Sequence, residues 1–415
     1  MAKINIITGL DIGTSKIRVA IATLKEKEEK PVVVGMGEVS SSGMRKGVIV
    51  DIEEVTENIK KAIEQAELSS GIPINHAYVS IGGSHINIKE NKGLVAVSRA
   101  DQEVSEEDIT RVIDSASAIS LPSNREIIHV IPRDFKLDEE RDIQVPLGMT
   151  GARLEVNTLI IDGLTPYIKN LIKCVSNLGI KIDGIVLNVL AASQSVLSNR
   201  QKELGVLVLD LGGGTSGMAA YEEGKLLYAQ ILPVGSSHIT NDIAIGLRTT
   251  IDLAEKIKLQ HGSALPSEIK KKEIIDLSKI DEKEKGIINR REVAKIIEAR
   301  VQEIFDLVNK ELKKIGKQKL LPAGVVLVGE GSTMSGIIDL AKKELGLPVQ
   351  LGFPIQVHSA VEEISDPAFA TVTGLIIWAL QSKEGNERKS NLFPRVSSTS
   401  GTVNKIKKWF RAFLP

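Results

Sequence analysis

The chain has 415 residues, 42% of them hydrophobic, and a formal net charge of zero. That length supports two or more domains with cores of their own, and the charge balance argues against a general nucleic-acid binder. The longest apolar stretches, such as Gly374 to Leu380, fall far short of the roughly 20 residues that cross a bilayer, and Met1 to Leu10 reads straight into a strand with no secretory pattern.

Ile4 to Ile12, Ile17 to Leu24 and Pro31 to Val39 read as three successive strands, the last two joined by the charged turn Lys25 to Lys30. Asp51 to Leu68 then has helical spacing at Val55, Ile59 and Ile63. The plan recurs later. Leu204 to Leu211, Met218 to Tyr221 and Lys225 to Pro233 are strands, and Ile239 to Gln260 reads as the helix that follows. The expected fold class is therefore α/β, with two duplicated halves around a cleft.

Between the halves, His76 to Ile88, Gly93 to Ser98, Ile127 to Leu137 and Leu154 to Ile161 read as strands, with a helix from Glu106 to Ile119 capped by Ser105. This is a small α+β insertion. Cys174, the single cysteine, sits beside Leu171, Ile172 and Val175 on an apolar helix face and reads as a buried thiol. A second insertion, Gly262 to Gly316, reads as almost wholly charged helix, with Arg300 inside its apolar stripe. That arginine either snorkels to the edge or meets a partner. Beyond Leu380 the pattern stops, and Gln381 to Val403 has the composition of a flexible linker spanning on the order of 25 Å.

Each half carries the same device at the end of its first strand. Asp11-Ile-Gly13-Thr14-Ser15-Lys16 and Asp210-Leu-Gly212-Gly213-Gly214-Thr215 both run from an apolar strand through Asp and glycine to hydroxyls. Glycine turns whose N–H groups point outward form anion nests, and two facing each other grip a polyphosphate. Asp11 and Asp210 suit a hydrated magnesium ion, which takes oxygen ligands and keeps several waters. Gly212, Gly214 and Gly217 also fit the dinucleotide fingerprint, but no helix opens there and no acid stands from 226 to 241, which disfavours it. A third turn, Gly329-Glu330-Gly331-Ser332-Thr333-Met334, lets backbone approach a purine face or is a plain strand-to-helix turn. Glu255 and Lys258 share a helix face, where they bond a ribose or base edge or form a solvated pair.

The three turns in this order resemble the phosphate 1, phosphate 2 and adenosine motifs of the actin, Hsp70 and sugar-kinase superfamily. Val79-Ser-Ile-Gly-Gly-Ser-His85, His129-Val-Ile-Pro-Arg-Asp-Phe135, Pro146 to Arg153, Ala254 to Lys258 and Asp366 to Ala370 are similar to segments of the bacterial FtsA family, and the likeness covers essentially the whole chain. The resemblance implies an actin-like fold with an inserted subdomain 1C in place of actin subdomain 1B. Subdomain 1A would comprise residues 1–80, 163–200 and 363–382, with 1C at 81–162. Subdomain 2A would take 201–238 and 320–362, 2B would take 239–319, and a linker at 383–403 would lead to a terminal helix at 404–415.

It also implies an ATP- and magnesium-binding protein that polymerises through 1C, holds the FtsZ C-terminal tail on 2B at Arg300, and works on the inner face of the plasma membrane. Two departures stand out. Gly217 replaces an Asp found in many relatives, and Glu330 and Ser332 interrupt the family's Gly-Gly-Gly-Ala. If the chain hydrolyses ATP, Asp210 is the candidate through a magnesium-bound water, with Gln194 either orienting that water or capping its own helix.

In residues 404–415, Ile406, Trp409, Phe410, Phe413 and Leu414 fall within an arc of about 140° when drawn as a helix. Lys405, Lys407, Lys408 and Arg411 take the other side and leave the rest of the chain about four charges negative. This composition marks an anchor for anionic lipid membrane, or else a helix docked on protein. A pilus-assembly ATPase or a soluble small-molecule kinase on the same fold are the competing readings. The terminal helix argues against the first, and the lack of a recognisable base argues against the second.

Overall fold

The computed structural model describes residues 5–25, 30–282, 284–359 and 361–390. The anchor residues Lys405, Ile406, Lys408, Trp409, Phe410, Arg411, Phe413 and Leu414 lie outside them.

The first half opens with strands β1 (Asn5–Ile12), β2 (Lys16–Leu24) and β3 (Val32–Ser40), then helix α1 (Ile52–Ser70) and strand β4 (His76–Ile81). The Asp51 carboxylate accepts the Glu54 N–H at the start of α1, and Gly71 ends it. The continuous strand expected from His76 to Ile88 breaks after Ile81, because Gly83 takes φ of 118°, open only to glycine at low cost. From that break the insertion runs through β5 (Asn87–Ala96), α2 (Glu106–Ser117), β6 (Arg125–Leu137), β7 (Glu140–Ile143) and β8 (Arg153–Leu164). Its sheet has the order β5-β8-β6-β7, antiparallel throughout. Helix α2 begins with a capping box in which Ser105 and Asp108 satisfy each other's backbone N–H, and its apolar side, Val112 and Ile113, packs on Phe135, Leu154 and Val156 of the sheet.

The chain re-enters the first half through α3 (Thr165–Ser176), β9 (Lys181–Leu187), α4 (Asn188–Val196) and α5 (Asn199–Leu204). Cys174 is buried on α3. The insertion is pinned where it leaves. Arg125 pairs with the fully buried Asp162 and donates to the His85 carbonyl at 2.9 Å, while His129 accepts the Leu187 N–H at 3.1 Å.

The second half repeats the opening with β10 (Val206–Leu211), β11 (Ser216–Glu222) and β12 (Lys225–Leu232). The helix expected from Ile239 to Gln260 is two helices, α6 (Ser236–Leu247) and α7 (Ile251–His261). Arg248 turns left-handed between them, and the Thr250 hydroxyl caps the second. The second insertion is less helical than its charge pattern suggested. A two-stranded ribbon, β13 (Ile274–Asp276) with β14 (Ile287–Asn289), precedes the single long helix α8 (Arg290–Lys314). Strand β15 (Val325–Val328), helix α9 (Ile337–Leu345), strands β16 (Val349–Leu351) and β17 (His358–Ser359) and helix α10 (Ala370–Ser390) complete the order. Helix α10 continues past Leu380, so the first part of the stretch read as linker is helical.

The main sheets run β9-β4-β1-β2-β3-β17 and β12-β11-β10-β15-β16, each an antiparallel hairpin set extended by parallel strands. One core joins them. Val189, Leu190 and Val196 of α4 and Trp378 of α10 belong to the same buried cluster as Leu10 and Val19 of the first sheet and Val208, Ala219 and Val326 of the second. The two halves therefore pack on either side of a buried helix, with the ends of β1 and β10 facing each other.

Candidate functional site

The carboxyl ends of β1 and β10 bring Asp11 and Asp210 to the floor of a cleft of about 650 Å³, counted to its open mouth. Ser80, at the end of β4, donates its hydroxyl to Asp11 at 2.6 Å and accepts the Ile12 N–H at 3.1 Å. Asn188, the first residue of α4, donates its amide to Asp210 at 3.1 Å. Burial raises the Asp11 pKa against the Ser80 hydrogen bond. Burial, together with the nearby Asp11 charge, pushes Asp210 up to about 7. Two buried carboxylates that resist ionising side by side create a demand for positive charge.

The Arg18 charge meets that demand only in part, lowering both carboxylates against the larger effect of burial. Lys16 and Arg18 both pair with Glu38 of β3, at 3.2 and 2.7 Å, and Arg18 also stands 5.1 Å over the Phe369 ring. Cross-strand register sets Asp11 beside Arg18 and Arg18 beside Glu38, a row of alternating charge across β1, β2 and β3. Despite burial, Arg18 and Lys16 together hold the Glu38 carboxyl below its usual range.

The two phosphate-type turns close on each other. A Cβ on Gly213 would stand 2.0 Å from Ser15 Oγ, and one on Gly214 would stand 2.7 Å from Thr14 Oγ1. Glycine is required here because the opposing hydroxyls occupy the space a side chain needs. Asp11, Gly13, Thr14, Ser15, Lys16, Asp210, Gly212, Gly213, Gly214, Thr215 and Gly329 all line the cleft, and so does Glu330.

Other expected site residues stand elsewhere. Gln194 lies on α4 six residues beyond Asn188, about 9 Å along the axis and turned to another face. Its carbonyl oxygen accepts from Lys202 at 3.0 Å, outside the cleft lining. Gln194 therefore stands apart from the cleft lining, and Asn188 occupies the place beside Asp210. Glu255 and Lys258 are tied to each other at 2.7 Å and to Thr240 on α6, with Lys258 buried and Glu255 partly open to solvent; neither lines the cleft. Ser332 spends its hydroxyl on the Gly329 carbonyl, Met334 packs on the second-half core, and Gly331 abuts Leu211. Gly217 is buried in β11, where a Cβ would meet Val189 Cβ at 3.0 Å. Register sets Gly217 directly opposite Asp210, on the face of the sheet that α4 covers, and it is not among the residues that line the cleft. Arg300 is held by Asp242 at 2.6 and 2.9 Å and by Glu303.

Arg18, Gly47, Asn188 and Thr371 line the cleft without having been singled out in the sequence, and Ser80 and Gly82 of the Val79 to His85 segment line it without having been read as site residues. Only Arg18 carried a local sign, two residues after Lys16 and hence on the same face of a strand. Among the described residues no three His, Cys, Asp or Glu stand together as a metal cage. The oxygen set that is present consists of Asp11, Asp210 and the buried Asn188 Oδ1, which has no hydrogen-bond partner. This set fits a cation that retains most of its water, as magnesium does.

Comparison with known proteins agrees with this architecture. Residues 207–374 match the family model described as cell division protein FtsA, and residues 83–162 match the SHS2 domain inserted in FtsA. The chain is 35% identical to the cell division protein FtsA of Pseudomonas aeruginosa over 406 residues, 97% of both chains. It is 38% identical to that of Bacillus subtilis over 380 residues, 92% of this chain and 84% of the relative. Among solved structures, a PilM-PilN type IV pilus biogenesis complex is similar in fold, with TM-score 0.65 at 15% identity over 89% of this chain and 97% of that one. MreB 5 of Spiroplasma citri bound to AMPPNP is similar with TM-score 0.53 at 14% identity, over 93% and 99%. The halves packed on α4, the inserted four-stranded sheet and relatives alike over nearly the whole chain have one explanation: the chain has the actin-like fold and belongs to the FtsA family of cell-division proteins.

Proposed function

We propose that this protein is a nucleotide-dependent membrane adaptor of cell division. It binds ATP with magnesium, self-assembles through the inserted subdomain, holds the FtsZ C-terminal tail on the α6–α8 face around Arg300, and attaches to anionic lipid at the inner face of the plasma membrane through residues 404–415. The observation that carries the reading is the closure of two glycine turns over the paired carboxylates Asp11 and Asp210. Outward N–H groups of both turns grip a polyphosphate from two sides. Bound magnesium would neutralise phosphate charge and polarise a water. Asp11 and Asp210 would hold the ion's water shell, and Ser80 and Asn188 fix the two carboxylates.

Assembly and membrane residence reinforce each other. A basic residue near an anionic surface contributes about 1 kcal/mol, so one short anchor binds reversibly. Many anchors on one filament raise apparent affinity by about 10² or more. The test is flotation with anionic liposomes in ATP and magnesium, comparing the full chain with one ending at Thr402. Flotation of the full chain alone supports the adaptor. Flotation of neither removes the tether and returns the cleft to a soluble kinase or ATPase.

A further inference from the structure

Lys16 and Arg18 share the single carboxylate of Glu38, which leaves about one positive charge to face three acidic groups of the cleft lining, Asp11, Asp210 and Glu330. A polyphosphate entering such a cleft needs positive charge beyond a single metal ion, and each added phosphate raises the need. A cation stands at the rim. Lys46 is exposed, and no carboxylate pairs with it among the described residues.

Its backbone is held where the two phosphate turns meet. The short hairpin of Met44–Arg45 and Val48–Ile49 has Lys46 and Gly47 at its tip. The Gly47 N–H donates to Thr14 Oγ1 at 3.0 Å, and the Cβ position of Gly214 lies 3.0 Å from the Lys46 Cα. One residue pair thus touches both turns. Lys46 itself adopts a left-handed φ of 51°, and its carbonyl accepts the Ser84 N–H at 3.2 Å. Behind it, a Cβ on Gly47 would stand 2.5 Å from the Gly83 Cα, so the hairpin tip is seated directly on the chain entering the insertion. From this fixed Cα a lysine stem reaches about 6 Å, enough to carry its ammonium over the mouth of the phosphate turns.

We propose that Lys46 is the cation that recognises the terminal phosphate of a bound nucleoside triphosphate and so sets preference for triphosphate over diphosphate. The proposal rests on the nucleotide-binding reading of the cleft. The point charge of an ammonium on a flexible stem suits a phosphate that is present in one ligand and missing from the other.

The test is calorimetric titration of the full chain with ATP and with ADP, in magnesium, for the native protein, Lys46→Met, Lys46→Arg and the neighbouring Arg45→Met. The expected result is about tenfold weaker ATP binding by Lys46→Met, ADP binding within about threefold of native, recovery in Lys46→Arg and little change in Arg45→Met. Equal weakening of both nucleotides, equal effects of Arg45→Met and Lys46→Met, or no effect of Lys46→Met overturns the proposal. Native protein that binds neither nucleotide overturns the reading of the cleft itself, a result distinct from all of these.

Discussion

Replacing Gly213 by alanine separates cleft closure from fold stability. The added methyl would stand 2.0 Å from Ser15 Oγ and 3.0 Å from Ser15 Cβ. Swinging the hydroxyl to another staggered position relieves the first contact and leaves the second. Restoring ordinary carbon contact then requires the turns to part by about 0.5–1 Å. Because they belong to different sheets, that displacement opens the cleft and leaves the cores intact, so stability should change by no more than about 0.5 kcal/mol. Phosphate contacts made from both sides at once are lost. One charge-assisted hydrogen bond is worth about 1.5–3 kcal/mol, so affinity for magnesium and ATP should fall about 10- to 100-fold. The assay is a double-mutant cycle by calorimetry with Ser15→Gly, whose missing side chain makes room for the methyl. Adding Ser15→Gly to Gly213→Ala should recover binding with a coupling of about 1 kcal/mol or more. Native affinity in Gly213→Ala, or strictly additive effects, would refute the argument.

Gly217→Asp would drive a carboxylate toward Val189 in a buried strand. It should cost more than about 3 kcal/mol in a denaturation experiment and give no gain in ATP hydrolysis; native stability with faster hydrolysis would place that side chain in the cleft instead. Burial pushes the His129 pKa down to about 3, and its Nε2 accepts the Leu187 N–H. The folded protein therefore refuses a proton that the unfolded chain accepts below about pH 6.5, so this stability is complete above that pH and falls as pH drops, by about 2 kcal/mol at pH 5. His129→Gln keeps an acceptor but cannot titrate, and urea unfolding at pH 7 and pH 5 should show a smaller loss than native. Arg300→Glu sets a third carboxylate beside Asp242 and Glu303, and anisotropy with a peptide of the FtsZ C-terminal tail should show at least about tenfold weaker capture without loss of fold. Asp242→Asn, which loosens the arginine, should retain capture.

What the sequence determined by itself was local. A strand, an Asp, a glycine turn and hydroxyls are contiguous, so Asp11 to Lys16 and Asp210 to Thr215 announce both their conformation and their chemistry within a few residues. The Ser105 cap is legible for the same reason, since its partners lie three residues away. Direction and assembly were decided by the tertiary structure. Whether residue 217 is open to the cleft or covered depends on how closely α4 packs over the face of β11 that it shares with Asp210, and alternation along a strand leaves that undecided. Gln194 and Asn188 share one helix, and only the packing of α4 between the two sheets turns Asn188 toward Asp210 and Gln194 toward Lys202. Ser80, Arg18, Gly47 and Asn188 reach the cleft from four separate segments. Gly47 and Asn188 look unremarkable along the chain, and nothing local assigns Ser80 or Arg18 to the carboxylates, because burial and the field of two facing carboxylates exist only once the halves have closed on a common core.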